Sequence, residues 1–292
     1  MKVLFDLIRI KHWVKNSFIF IPAFFAGNIF EEPILINLSL GFLSFSLVAS
    51  TVYIFNDYRD IEFDRNHPQK KDRPLAAGLV KKSTALIASA LLFSTGIILA
   101  FYLGLNFLIV LLIYLTLNIL YSLGLKAISI LDIMIIASGF ILRVVGGGIL
   151  AQIELSQWLL IMVFLLSLFI AFAKRLDDLL VYHANGKKSR MLIEQYNLEF
   201  IYSGITMIAG VILVSYIMYT VSEAVITRLH SEHLYITSIF VIAGILRYLQ
   251  ITLVEKNSGS PVKILFTDRF IIVSVLGWLI TFFAIIYLRV NV

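Results

Sequence analysis

The 292 residues are 60% hydrophobic and only 14% charged, with a mean hydropathy of +0.94 and a formal net charge of +6. A soluble domain devotes about 25% of its residues to charge, so the composition excludes one and describes a polytopic membrane protein. The absence of cysteine excludes disulfides, thiolate nucleophiles and thiolate metal sites.

The N-terminus, MKVLFDLIRIKHWVKN, is basic and mixed. It lacks the smooth apolar core of a cleaved signal peptide. Apolar segments follow near residues 17–30, 34–55, 83–103, 106–122, 130–150, 156–173, 200–221, 233–253 and 270–290. They predict about nine membrane helices, because each approaches the length that crosses a bilayer. Lipid offers no partner to free backbone groups, so the fold class is all-α. The lead-in from Arg9 to Asn16 is amphipathic. Either Trp13 anchors it at the interface, or Lys15 and Asn16 enter a site from the membrane edge.

Lys and Arg set the orientation. With the N-terminus inside, 20 of the 24 fall on the cytoplasmic side. Arg228 and Arg289 fall outside, and Arg143 and Arg247 lie within spans. Nine crossings then leave the C-terminus outside.

The stretch from Asn56 to Gly78 reads NDYRDIEFDRNHPQKKDRPLAAG. On a helix, at about 100° per residue, Asn56, Asp57, Asp60 and Asp64 share an arc of roughly 100° while Glu62 points away. Three carboxylates and an amide on one face repel one another unless a cation sits among them. Hard oxygen donors suit Mg²⁺, which binds through one or two carboxylates plus substrate phosphates. Cations follow at once: Arg65, His67, Lys70, Lys71 and Arg73. A solvated acidic turn has no reason to spare one face, so the spacing points to a metal–diphosphate site.

The inner loop from Tyr121 to Lys126 precedes Asp132, an acid near the inner end of the fifth span. Such an acid is either a functional group or a cap pairing with Lys126. Arg143 lies deeper and needs a partner inside the bundle. Gly146 to Gly148 suit close helix packing. A second charged cluster, Lys174, Arg175, Asp177 and Asp178, continues to Arg190 and Tyr196. Arg247, near the inner end of the eighth span, either snorkels or holds a phosphate. No soluble domain, low-complexity tract, nucleic-acid motif or His/Cys metal site is present.

The pattern Asn56-Asp-x-x-Asp60-x-x-x-Asp64, after the second span on the cytoplasmic side, resembles the first motif of the UbiA superfamily of intramembrane prenyltransferases. The resemblance covers nearly the whole chain and implies one domain, 1–292, with helices around a central cavity capped by polar cytoplasmic loops. It also implies that Mg²⁺ is held by Asn56, Asp57, Asp60 and Asp64, the three acids being catalytic. The second motif departs from the family pattern: Asp177 and Asp178 are adjacent, and Val181 and Tyr182 stand four positions further on.

The chain looks most like the polyprenyl-phosphate phosphoribosyltransferase branch, of the decaprenyl-phosphate type. The similar pieces are Trp13 to Asn16, Asn56 to Gly78, Tyr121 to Lys126 with Asp132, Gly139 to Arg143, Lys174 to Asp178, Arg190 to Tyr196, and Leu246 to Tyr248. This branch implies phosphoribosyl pyrophosphate as donor and a polyprenyl phosphate lipid as acceptor. The expected substrate contacts are Lys15, Asn16, Asn56, Lys70, Arg73, Lys126, Lys174, Arg175, Asp178, Arg190, Tyr196 and Arg247. An ordinary family member would instead move a prenyl group from a prenyl diphosphate to an aromatic or lipid acceptor. A transporter would carry paired interrupted spans, and none is seen. The expected home is the cytoplasmic membrane, with the site facing inward.

Overall fold

A computed structural model describes residues 2–65, 70–185, 195–255, 264 and 266–288. Arg190 lies outside them. The regular elements among the described residues are all helices, with no strand. In chain order they form α1 Lys2–Ile8, a 3₁₀ helix Ile10–Phe20, α2 Ile21–Ala26, α3 Glu32–Arg59, α4 Ile61–Arg65, α5 Lys82–Leu103 and α6 Leu105–Leu123. There follow α7 Leu131–Ala151, α8 Gln157–Asn185, α9 Leu198–Thr220, α10 Glu223–Leu229, α11 Ser238–Leu253 and α12 Arg269–Tyr287.

Among the described residues, eight helices are long and apolar enough to cross a membrane by length and composition. The difference from the expected nine lies in the first segment. It is split between the 3₁₀ helix and α2, broken where Pro22 enters the first turn of α2, and it closes at Gly27 in the left-handed region. The start of the second charged cluster, Lys174 to Asp178, continues the sixth apolar segment. It lies on a helix, because α8 runs 29 residues to Asn185.

The contacts gather into two compact units, 1–126 with 139–155, and 127–138 with 156–292. In the first unit, Ile19, Leu38, Phe45, Phe107, Leu111 and Tyr114 pack into a common core. Helices α3 and α5 meet closely because Gly96 has no side chain: a Cβ there would lie 2.8 Å from Val48 and 3.2 Å from the Ser44 carbonyl. The Ser44 hydroxyl donates to the Gly96 carbonyl at 2.7 Å across the same contact. The opposite face of α5, with Ile87, Leu91 and Ile98, is left exposed as a lipid-facing surface would be.

Gly147 on α7 admits the first segment. A Cβ at this position would sit 2.0 Å from the Ile19 carbonyl oxygen, which is backbone and has no rotamer to change. Gly147→Ala is expected to lower stability in detergent by about 1–3 kcal/mol. Gly210→Ala on α9 meets nothing within 4 Å and is expected to be neutral or slightly stabilising. Equal thermal midpoints for the two variants would contradict this account of the α7 contact.

In the second unit, Phe169, Phe172, Leu176, Ile201, Ile205 and Tyr248 form the core. At its far end the Trp278 indole donates to the Tyr216 hydroxyl at 2.6 Å, which pairs with Thr237 at 2.7 Å. Buried polar tips thus find partners inside the apolar layer.

Candidate active site

Helix α3 spans 28 residues, about 42 Å at 1.5 Å per residue. That exceeds a hydrocarbon core of about 30 Å, so one end projects beyond it. Its C-terminal end carries the acidic motif. The helix stops at Asp60, whose ψ of 13° departs from the helical value, and α4 resumes at Ile61. The expected single helix from Asn56 to Asp64 is therefore interrupted. Register survives the break, because the Asp60 amide donates to the Asn56 carbonyl at 3.0 Å and the Asp64 amide to the Asp60 carbonyl at 2.8 Å.

Asp57 and Asp64 are buried, at 3% and 1% exposure. They converge on one guanidinium: Arg73 Nη1 donates to Asp57 Oδ1 at 3.0 Å and to Asp64 Oδ2 at 2.6 Å. Arg9 also donates to Asp57 Oδ1. Asp60 points to Lys126 instead, at 2.8 and 3.1 Å. Asn56 is half-buried beside them. Lys70 lies over the Phe63 ring at 5.3 Å. The turn that brings Arg73 back ends at Gly78, in the left-handed region with φ +70°.

The four expected metal ligands do not form a preassembled cage. Among the described residues no three acidic or imidazole groups are close enough to hold an ion. Cations from Arg9, Arg73 and Lys126 share out the carboxylates, as uncompensated acids at such a site require. The donor chemistry still fits Mg²⁺. The oxygens are hard, and Asp64 Oδ1 is buried without a hydrogen-bond partner, an open acceptor of the kind a cation takes. A site of this sort needs only one or two carboxylates, the rest coming from phosphate and water.

A second group of polar residues lies along the 3₁₀ helix. Asn16 is buried and donates to Ser46 at 2.8 Å. The partner sought for Arg143 is this same residue: Arg143 Nε donates to Asn16 Oδ1 at 2.7 Å. Arg143 also donates to the Gly139 carbonyl at 2.6 Å and to the Tyr114 hydroxyl at 3.1 Å. Trp13 donates to Ser50 at 3.0 Å. Lys15, beside Asn16, is half-buried. Burial, and then the charges of Arg143 and Arg9, push its ammonium down to about 8.

The acid on α7, Asp132, is fully buried and belongs to the second unit. Arg175 Nε donates to Asp132 Oδ2 at 2.8 Å, and Arg175 Nη1 to Asp178 at 3.2 Å. The Tyr196 hydroxyl donates to Asp132 Oδ1 at 2.8 Å and accepts from the Ile130 amide at 2.8 Å. Burial pushes the Tyr196 phenol up to about 12, so it remains a donor near neutrality. Lys174 lies exposed on the same stretch of α8. Arg247 is met by Asp268 at 2.8 Å, Glu255 at 2.7 Å and Gln250 at 2.7 Å. Hydrogen bonding from Arg247 holds the Asp268 carboxyl below its usual range. Arg175, Tyr196 and Arg247 were expected as substrate contacts. The structure gives them protein partners, because a buried cation or phenol pairs with the nearest acid.

Arg9 and the positioning role of Asp132 escape sequence reasoning. Arg9 reads as one more inner-side cation. It faces Asp57 because it stands in the left-handed region, with φ 52°, between α1 and the 3₁₀ helix. No sequence signal marks that turn.

The sequence model of the UbiA prenyltransferase family matches residues 17–275. A decaprenyl-phosphate phosphoribosyltransferase of Mycolicibacterium smegmatis is 32% identical, over 97% of this chain and 92% of its own length. Its counterpart in Corynebacterium glutamicum is 31% identical, over 96% and 86%. Among solved structures, a UbiA homologue from Archaeoglobus fulgidus bound to GPP and Mg²⁺ superposes with a TM-score of 0.72. It covers 97% of this chain and 99% of its own at 18% identity.

Proposed function

The chain belongs to the UbiA prenyltransferase family, and from that premise we propose that it moves 5-phosphoribose from phosphoribosyl pyrophosphate to a polyprenyl phosphate, releasing diphosphate and inverting the sugar carbon. The observation that carries this reading is end-to-end similarity to phosphoribosyltransferases of that name, joined to a buried carboxylate pair with an open acceptor at Asp64.

In this reading Asp57, Asp60 and Asp64, with Asn56, hold Mg²⁺. When bound, the ion supplies positive charge where negative charge builds on the departing diphosphate. Arg73 and Arg9 neutralise Asp57 and Asp64 until then. Lys126 orients Asp60. Lys70 lies on the same turn as Arg73 and suits an outer phosphate oxygen. Within the second unit, Arg175, Asp132, Asp178 and Tyr196 bind one another and so fix the cation-bearing stretch of α8.

As the bond from the sugar carbon to diphosphate breaks, that carbon gains oxocarbenium character. A lipid phosphate oxygen attacks from the opposite face. It is already ionised, so no general base is required. Holding both substrates in a dry site supplies much of the rate. The site opens to the cytoplasm of the inner membrane. The C-terminus lies outside if the first segment crosses along with the eight long helices.

The product tests this reading. Incubation with the α-configured donor, a polyprenyl phosphate and Mg²⁺ is expected to give a lipid heavier by one phosphoribosyl group, with the β configuration by NMR. A retained α configuration would contradict direct displacement. A prenylated acceptor formed from a prenyl diphosphate would contradict the donor.

A further inference from the structure

Arg143 is buried at 4% exposure, and all its described partners are neutral. Three of its N–H groups go to Asn16, the Gly139 carbonyl and Tyr114. The rings of Phe45, Tyr114 and Phe140 surround its guanidinium at 5.2, 4.7 and 5.5 Å. Two of its five donors remain without a described partner. Lys15, one residue before Asn16, makes no hydrogen bond or ion pair among the described residues, and Arg143 is one of the charges that disfavour its ammonium.

Other inward-facing cations are met by acids. Arg175 has Asp132 and Asp178, Arg73 has Asp57 and Asp64, and Arg9 has Asp57. Two cations brought together through Asn16, half-buried or deeper and without an acid among the described residues, are unfavourable in a low-dielectric setting. An anion drawn from outside the protein relieves both. The diphosphate of the donor belongs with the carboxylates and their metal. The surroundings of Arg143 are aromatic and apolar, which suits a phosphate carried on a hydrocarbon chain.

We propose that Lys15 and Arg143 hold the phosphate of the lipid acceptor, and so select a polyprenyl phosphate over the corresponding alcohol. The identity of the acceptor rests on the phosphoribosyl-transfer reading above. The pair's preference for a lipid-borne phosphate does not. Lys15 is the direct contact, and Arg143 contributes its two remaining N–H groups. Arg9 ties this segment to the metal motif, since it caps the 3₁₀ helix that carries Lys15 and bonds Asp57. The acceptor oxygen is thereby delivered beside the carboxylates, where the sugar carbon is attacked.

The test uses the full-length protein in detergent. Lys15→Met is expected to raise the KM for polyprenyl phosphate about 10- to 100-fold, the loss of one charge-assisted hydrogen bond. The KM for phosphoribosyl pyrophosphate is expected to stay within about threefold, and Lys15→Arg to recover most of the loss. Arg143→Lys, which keeps the charge but loses the fork, is expected to shift the same constant. In a donor-free titration followed by tryptophan fluorescence, wild type is expected to prefer polyprenyl phosphate to polyprenol, and Lys15→Met to lose that preference.

Lys15-dependent preference without any phosphoribosyl turnover would support the pair and sink the phosphoribosyl reading. Turnover with an unchanged acceptor KM in Lys15→Met would do the reverse. A rise confined to the donor KM would also overturn the proposal, by placing the donor's 5-phosphate on Lys15.

Discussion

Asp60→Asn is expected to lower Mg²⁺-dependent turnover by about 10²–10³-fold or more, the cost of losing one preorganised electrostatic contact at a developing charge. Stability is expected to change little. Asp60 retains 27% side-chain exposure, and its described partner is Lys126, itself 33% exposed. Pairs of that kind contribute about 0–1 kcal/mol. Asp57 and Asp64 are poorer choices for the same test. Removing either carboxylate leaves Arg73, and for Asp57 also Arg9, short of a partner in a buried setting. Lost folding would then be confounded with lost chemistry. A Mg²⁺ titration of turnover beside a thermal unfolding curve separates the two effects. An active Asp60→Asn enzyme with an unchanged Mg²⁺ dependence would end the metal reading.

The largest loss of stability is expected at Asp132. This acid is 0% exposed and its partner Arg175 is 1% exposed. Asp132→Asn keeps the shape and removes the charge, leaving Arg175 with Asp178 alone at 3.2 Å. Breaking such a pair on one side costs about 3–5 kcal/mol, while replacing both partners by apolar groups of similar volume is often neutral. Unfolding in detergent is therefore expected at a markedly lower temperature for Asp132→Asn. The double variant Asp132→Leu with Arg175→Met is expected to recover at least half of the loss, with Tyr196 still missing its acceptor. A single variant as stable as wild type would show that the pair contributes nothing to holding α7 against α8.

Much of the architecture was legible because a membrane helix must satisfy its own backbone. Hydropathy alone therefore placed α3, α5 to α9, α11 and α12. It could not show that the first segment begins as a 3₁₀ helix, or that Gly147 receives the Ile19 backbone. Nor could it orient helices such as α5 that are apolar all round. Small residues such as Gly96 decide which side packs.

At the site, the spacing of Asp57, Asp60 and Asp64 was informative because register is preserved through the break at Asp60. The cations were less so. A lysine or arginine on the inner side reads alike whether it is solvated, paired with an acid or waiting for a phosphate. Tertiary contacts separate those cases: Arg175 and Arg247 are paired, Arg73 bridges two acids, and Lys15 and Arg143 meet no acid among the described residues.

The most direct test of the central claim is diphosphate release by the purified protein with Mg²⁺, measured with each substrate alone and with both together. Phosphoribosyl-transfer chemistry predicts release only when phosphoribosyl pyrophosphate and a polyprenyl phosphate are both present, and its loss in Asp60→Asn. Release from a prenyl diphosphate with an aromatic or lipid acceptor, and none from phosphoribosyl pyrophosphate, would contradict it and assign the protein to ordinary prenyl transfer.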